Sequence, residues 1–128
     1  MVTAALVLAA LAAAVHVFIF YLESVAWTGP RARAVFGTSE SEAHATRGLA
    51  FNQGFYNLFL AIAVVAGIVL VAVGHTVAGA TSVFVGAGSM AAAALVLVLS
   101  DRAHAGSALK QGALPAAAVV LLAAGLAL

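Results

Sequence analysis

The chain has 128 residues, of which 66% are hydrophobic and 7% charged, with a formal net charge of +1. A soluble domain carries about 45–50% apolar and about 25% charged residues, so this composition excludes a water-solvated globular surface and calls for a bilayer. The small net charge argues against a nucleic-acid partner. The absence of cysteine excludes disulfides, thiolate nucleophiles and Cys-ligated metals.

A membrane-spanning helix needs ~20 apolar residues, and four runs qualify. The first covers residues 2–27. Met1-Val2-Thr3 holds no Lys or Arg, so the run reads as a retained span and not a cleaved signal peptide. Thr28-Gly29-Pro30 ends it, because proline lacks the N–H and disfavours helix in the residue before it. The basic, aromatic link over residues 31–37 is suited to lying flat at the interface. Ser39 followed by Glu42 fits a capping box, which starts the second helix near Glu40, in water, before its apolar run over residues 48–73. Gly74-His75-Thr76 is a tight turn. The third span covers residues 77–100, with Ser82, Gly86 and Ser89 on one face for close helix packing or self-association. Residues 101–106 form the third loop. The fourth span covers residues 109–128, where Pro115 kinks the helix and frees the carbonyl of Gln111. The expectation is an all-α, four-helix integral membrane bundle in one domain.

All Lys and Arg side chains (Arg31, Arg33, Arg47, Arg102 and Lys110) fall at the first and third loops. The positive-inside rule makes those loops cytoplasmic, at an inner or plasma membrane, with both termini outside. Trp27 falls where an aromatic belt residue is expected.

The polar residues gather at the same end. His16, Phe20, Glu23 and Trp27 step by four, three and four, placing them on one stripe of a helix. An acid within a span costs roughly 2.5–3.5 kcal/mol at mid-membrane and less near an interface, which demands a partner. Two readings of Glu23 stand side by side. In one it pairs with Arg31 or Arg33 and anchors the helix end. In the other it lines a cavity, with His16, as an acid–base pair. Glu23 and His16 are too few to hold zinc, so no metal site is expected. The second span opens with Arg47 and then Asn52-Gln53-Gly54-Phe55-Tyr56-Asn57. Asn52 with Tyr56, and Gln53 with Asn57, share faces four residues apart. With Arg102 and Gln111 they form either a pocket or an interhelical hydrogen-bond network.

His16, Glu23, Trp27-Thr28-Gly29-Pro30-Arg31-Ala32-Arg33, Val35-Phe36-Gly37, Asn52 to Leu60 and Lys110-Gln111-Gly112 together resemble a bacterial family of small four-helix membrane proteins of unknown function. That resemblance covers most of the chain and implies a fold and a location but no activity. Arg31, Arg33 and Phe36 in the first loop, with Arg47, Asn52 and Tyr56 in the second helix, also resemble the MAPEG proteins (membrane-associated proteins in eicosanoid and glutathione metabolism). This second resemblance implies a trimer with a thiol ligand between subunits. The chain departs from it at Phe55, where a Glu is expected, at Arg47, one residue early, and after Gln111, where no Arg or Tyr follows.

Three functions follow from these residues. A binding or catalytic module takes an anionic amphiphile or thiol from the cytoplasmic side. Arg31, Arg33, Arg47 and Arg102 hold its charge, Asn52, Gln53, Tyr56, Asn57 and Gln111 orient it, and Glu23 or His16 moves a proton. A transporter uses a line from Glu23 through His16. A structural subunit uses the polar cluster only to hold helices together. The sequence names no cofactor.

Overall fold

The structure, a computed structural model, describes residues 1–128, all of them. It contains α1 (Val2–Phe20), continued by one π-helical stretch (Tyr21–Val25), then a short α2 (Pro30–Phe36), α3 (Glu40–Ala72), α4 (Thr76–Ser100), a 3₁₀ turn (Arg102–His104) and α5 (Ala105–Ala127). The four long helical segments are long and apolar enough to cross a membrane. The chain is an all-α helical bundle of the multi-pass membrane type.

Local chemistry sets the boundaries. Pro30 occupies the first turn of α2, where its missing N–H costs nothing. Ser39 and Glu42 form the reciprocal capping box that opens α3. Gly74 takes φ 93° in the turn to α4, a conformation that β-carbons oppose. The Asp101 side chain accepts from the Ala103 N–H at 2.9 Å and so starts the 3₁₀ turn. That turn runs directly into α5, which begins at Ala105, four residues before the apolar run at Leu109. Pro115 is buried inside α5, which continues through it.

The helices pack in ring order: α1 on α3, α3 on α4, α4 on α5, and α5 back on α1. This up-and-down arrangement places Val2 against Gly125, so the two ends of the chain lie together. It also gathers α2, the start of α3 and the α4–α5 connection at the opposite end. All five Lys and Arg side chains belong to that end, called the basic end below. The core is built from small residues, with Ala5, Ala9, Ala12 and Ala13 of α1 packed among Val64, Val83, Met90 and Leu122. Small side chains let membrane helices approach closely, which maximises dispersion contact where lipid offers no hydrophobic drive. Where α3 crosses α4, a β-carbon on Gly67 would lie 2.7 Å from the Gly79 carbonyl oxygen. Ser82 donates to the Ala63 carbonyl at 2.7 Å across the same α3–α4 contact, whereas Ser89 is exposed. Large apolar side chains such as Val7, Leu11, Ile62, Val69, Val85 and Val120 face outward, as helices solvated by lipid require.

Candidate functional site

The polar stripe of α1 is stitched to α3. Glu23 is 9% exposed and accepts from the Asn57 Nδ2 at 2.8 Å. Ser24 donates to the Phe51 carbonyl at 2.8 Å, and the Trp27 Nε1–H donates to Thr46 Oγ at 3.1 Å. Thr46 in turn donates to the Glu42 carbonyl at 2.7 Å. Phe20 meets Phe55 edge-on at 5.2 Å between ring centroids. The π-helical stretch carries Glu23 and Ser24 into this seam. Its wide turn is closed by the Ala26 N–H donating to the Tyr21 carbonyl at 3.0 Å, five residues back. Gly54 makes room for it: a β-carbon there would lie 3.0 Å from the Ser24 nitrogen and 3.1 Å from the Glu23 β-carbon.

No cation lies within ion-pair distance of Glu23. The ion pair of the first loop joins half-buried Arg33 to exposed Glu40 at a long 3.9 Å, a contact of little energetic weight. The anchor reading expected Glu23 to pair with Arg31 or Arg33; it pairs with neither, and the Asn57 amide is its hydrogen-bond partner. His16 is buried, with Nδ1 2.9 Å from the Ala12 carbonyl one turn back. The neighbours in the second span separate. Asn57 turns inward, while Arg47, Asn52, Gln53 and Tyr56 lie on the outer surface of α3, with Tyr56 66% exposed. Arg102 is exposed on the 3₁₀ turn beside His104, whose Nδ1 lies 2.8 Å from Asp101. The Ala103 N–H, and after it His104, hold the Asp101 carboxyl below its ordinary range.

An open cavity of about 490 Å³ lies on another face of α1. Val15, Phe18, Ile19 and Leu22 form its inner wall, and α2 covers its basic end through Arg31, Ala34, Val35 and Phe36. Ser107, Lys110 and Gln111 supply the wall from α5. The lining holds two cations and no carboxylate. Arg31 sits with its guanidinium carbon 5.2 Å from the centroid of the Phe18 ring, a cation–π contact that leaves its N–H edge free. Phe36 packs on Trp27 with the rings tilted at 53° and their centroids 5.1 Å apart, which ties α2 to the α1–α3 seam. Neither Glu23 nor His16 lines this cavity.

The structure thus brings together Glu23 with Asn57, and Arg31 with Gln111, and does not join the two sets. Sequence reasoning did not place Lys110 among the ligand-binding residues and overlooked Ser107, Phe18, Ser24 and Thr46. The groove did leave a signal. Val15, Phe18, Ile19 and Leu22 fall at i, i+3, i+4 and i+7, and Ser107, Lys110 and Gln111 at i, i+3 and i+4, so each set occupies one helix face.

No curated protein and no solved structure matches the chain. One family model, described as a protein of unknown function (DUF1304), matches residues 10–123. The matched stretch takes in both walls of the groove and the whole α1–α3 seam, and on that match the chain belongs to the DUF1304 family.

Proposed function

We propose that the protein binds an anionic amphiphile in the groove between α1, α2 and α5, entered sideways from the bilayer, with the basic end at the cytoplasmic face of a plasma or inner membrane. Arg31 and Lys110 hold the anionic head, Gln111 and Ser107 add neutral hydrogen bonds, and Val15, Phe18, Ile19 and Leu22 pack on the apolar body. The observation that carries this reading is one cavity combining an apolar wall with two uncompensated cations at its basic end. Arg33, Arg47 and Arg102 lie around that end and raise the local concentration of anions.

The test is thermal unfolding of the purified chain in a neutral maltoside detergent. Anionic lipid is expected to raise the midpoint and zwitterionic lipid to leave it in place, with the shift reduced in Arg31→Gln and in Lys110→Gln. Equal responses to both lipids, or none, overturn the proposal.

The Glu23–Asn57 seam supports a second, structural role, because its polar contacts join α1 to α3 directly. The MAPEG-like set Arg47, Asn52 and Tyr56 would add thiol chemistry only in an oligomer that covers the outer face of α3. The amphiphile reading needs neither.

A further inference from the structure

The groove's donors exceed what a carboxylate can use. A carboxylate offers two oxygens and one negative charge. Arg31 presents the free edge of a planar fork, Lys110 up to three N–H donors, Gln111 an amide and Ser107 a hydroxyl, with no acidic side chain among the lining residues. A phosphomonoester answers this set better. It carries about −1.5 to −2 charges at pH 7 and three strong acceptor oxygens. The apolar part is short. Along α1 it runs from Val15 to Leu22, a rise of about 10 Å. The volume of about 490 Å³ holds about sixteen groups the size of a water or methylene. One short chain and a compact head fill that volume.

We infer that the ligand of this groove is a single-chain amphiphile ending in a phosphomonoester. This rests on the amphiphile-binding reading above and names its ligand class. Arg31 grips two phosphate oxygens side by side, Lys110 neutralises the remaining charge, and α2 lies over the head. Removing the second proton from the phosphate, with a pKa of about 6, adds the charge that the two cations match.

The experiment measures binding to the full chain in neutral maltoside detergent with probes of one chain length. These are dodecyl phosphate, dodecanoate and dodecylphosphocholine, with two-chain phosphatidic acid and inorganic phosphate alongside. Dodecyl phosphate is expected to bind at least about tenfold more tightly than dodecanoate. Its affinity should rise as pH increases through about 6, and it should fall in both Arg31→Gln and Lys110→Gln. Dodecylphosphocholine and inorganic phosphate should bind weakly or not at all. If dodecanoate equals dodecyl phosphate while both depend on Arg31 and Lys110, the headgroup assignment falls and the amphiphile reading stands. If phosphatidic acid binds as tightly as the single-chain probe, the chain count falls. If no anionic probe binds, or binding ignores both substitutions, both conclusions fall. The probe comparison uses the unaltered protein, so it decides the matter even where a variant folds poorly.

Discussion

Glu23 shows how one side chain can be costly and retained. Its carboxylate sits in a seam where the Asn57 amide donates at 2.8 Å, and losing that donor strands a buried acceptor at a cost of about 1–3 kcal/mol. Asn57→Leu should therefore destabilise the chain by about that amount in unfolding measurements. Glu23→Gln keeps an acceptor oxygen opposite the same N–H and should cost less. Equal losses in the two variants would show that Asn57 packs and does not bond. The demand for a partner was legible in the sequence, since an acid in an apolar run needs one. The identity of the partner was not. Asn52, Gln53, Tyr56 and Asn57 are equally polar within six residues of chain, and only the rotation of α3 against α1 selects Asn57.

At the scale of the element, close approach sets the limits. A β-carbon on Gly67 would meet the Gly79 carbonyl oxygen at 2.7 Å, so Gly67→Ala should push α3 from α4 and cost about 1–3 kcal/mol. Gly48 has open space where its β-carbon would be, and Gly48→Ala should stabilise α3 by about 0.8–1 kcal/mol through helix propensity. Unfolding of the pair in one detergent reads the opposite signs. The Asp101 turn adds a pH dependence. Its carboxyl titrates below the ordinary value because the Ala103 N–H and His104 favour the ionised form. A depressed pKa contributes stability above the unfolded value, about 3.9, and loses it as pH falls through the lower folded value. Protection of the Ala103 amide, measured against the intrinsic exchange rate at each pH, should fall over that acidic window, and Asp101→Asn should remove the pH dependence of that protection. The capping box and the glycine turn follow from local rules and were readable in advance, whereas Pro30 was read as ending the first helix and not as starting α2. The π-helical stretch was not: Tyr21–Val25 carries no sequence mark, and its wide turn is supported by Gly54, some thirty residues away.

For the whole molecule, four apolar runs and five cations were enough to give the bundle and its basic end. The groove was harder to foresee because its walls come from three elements that only the ring order brings together. Its apolar α1 residues are indistinguishable in sequence from the rest of the first apolar run, and Lys110 is one cation among five at the same end. What distinguishes the groove from ordinary lipid-facing surface is α2, which folds over one end of it.

That cover has a practical consequence. Trp27 is the single tryptophan of the chain, and it touches α2 through Phe36, which also lines the groove. The protein therefore carries its own fluorophore, one residue removed from any occupant. Filling the groove or lifting α2 should alter the polarity and packing around one indole against a background free of other tryptophans. An emission spectrum recorded during a titration, with Phe36→Leu to uncouple the ring, should report occupancy without a label.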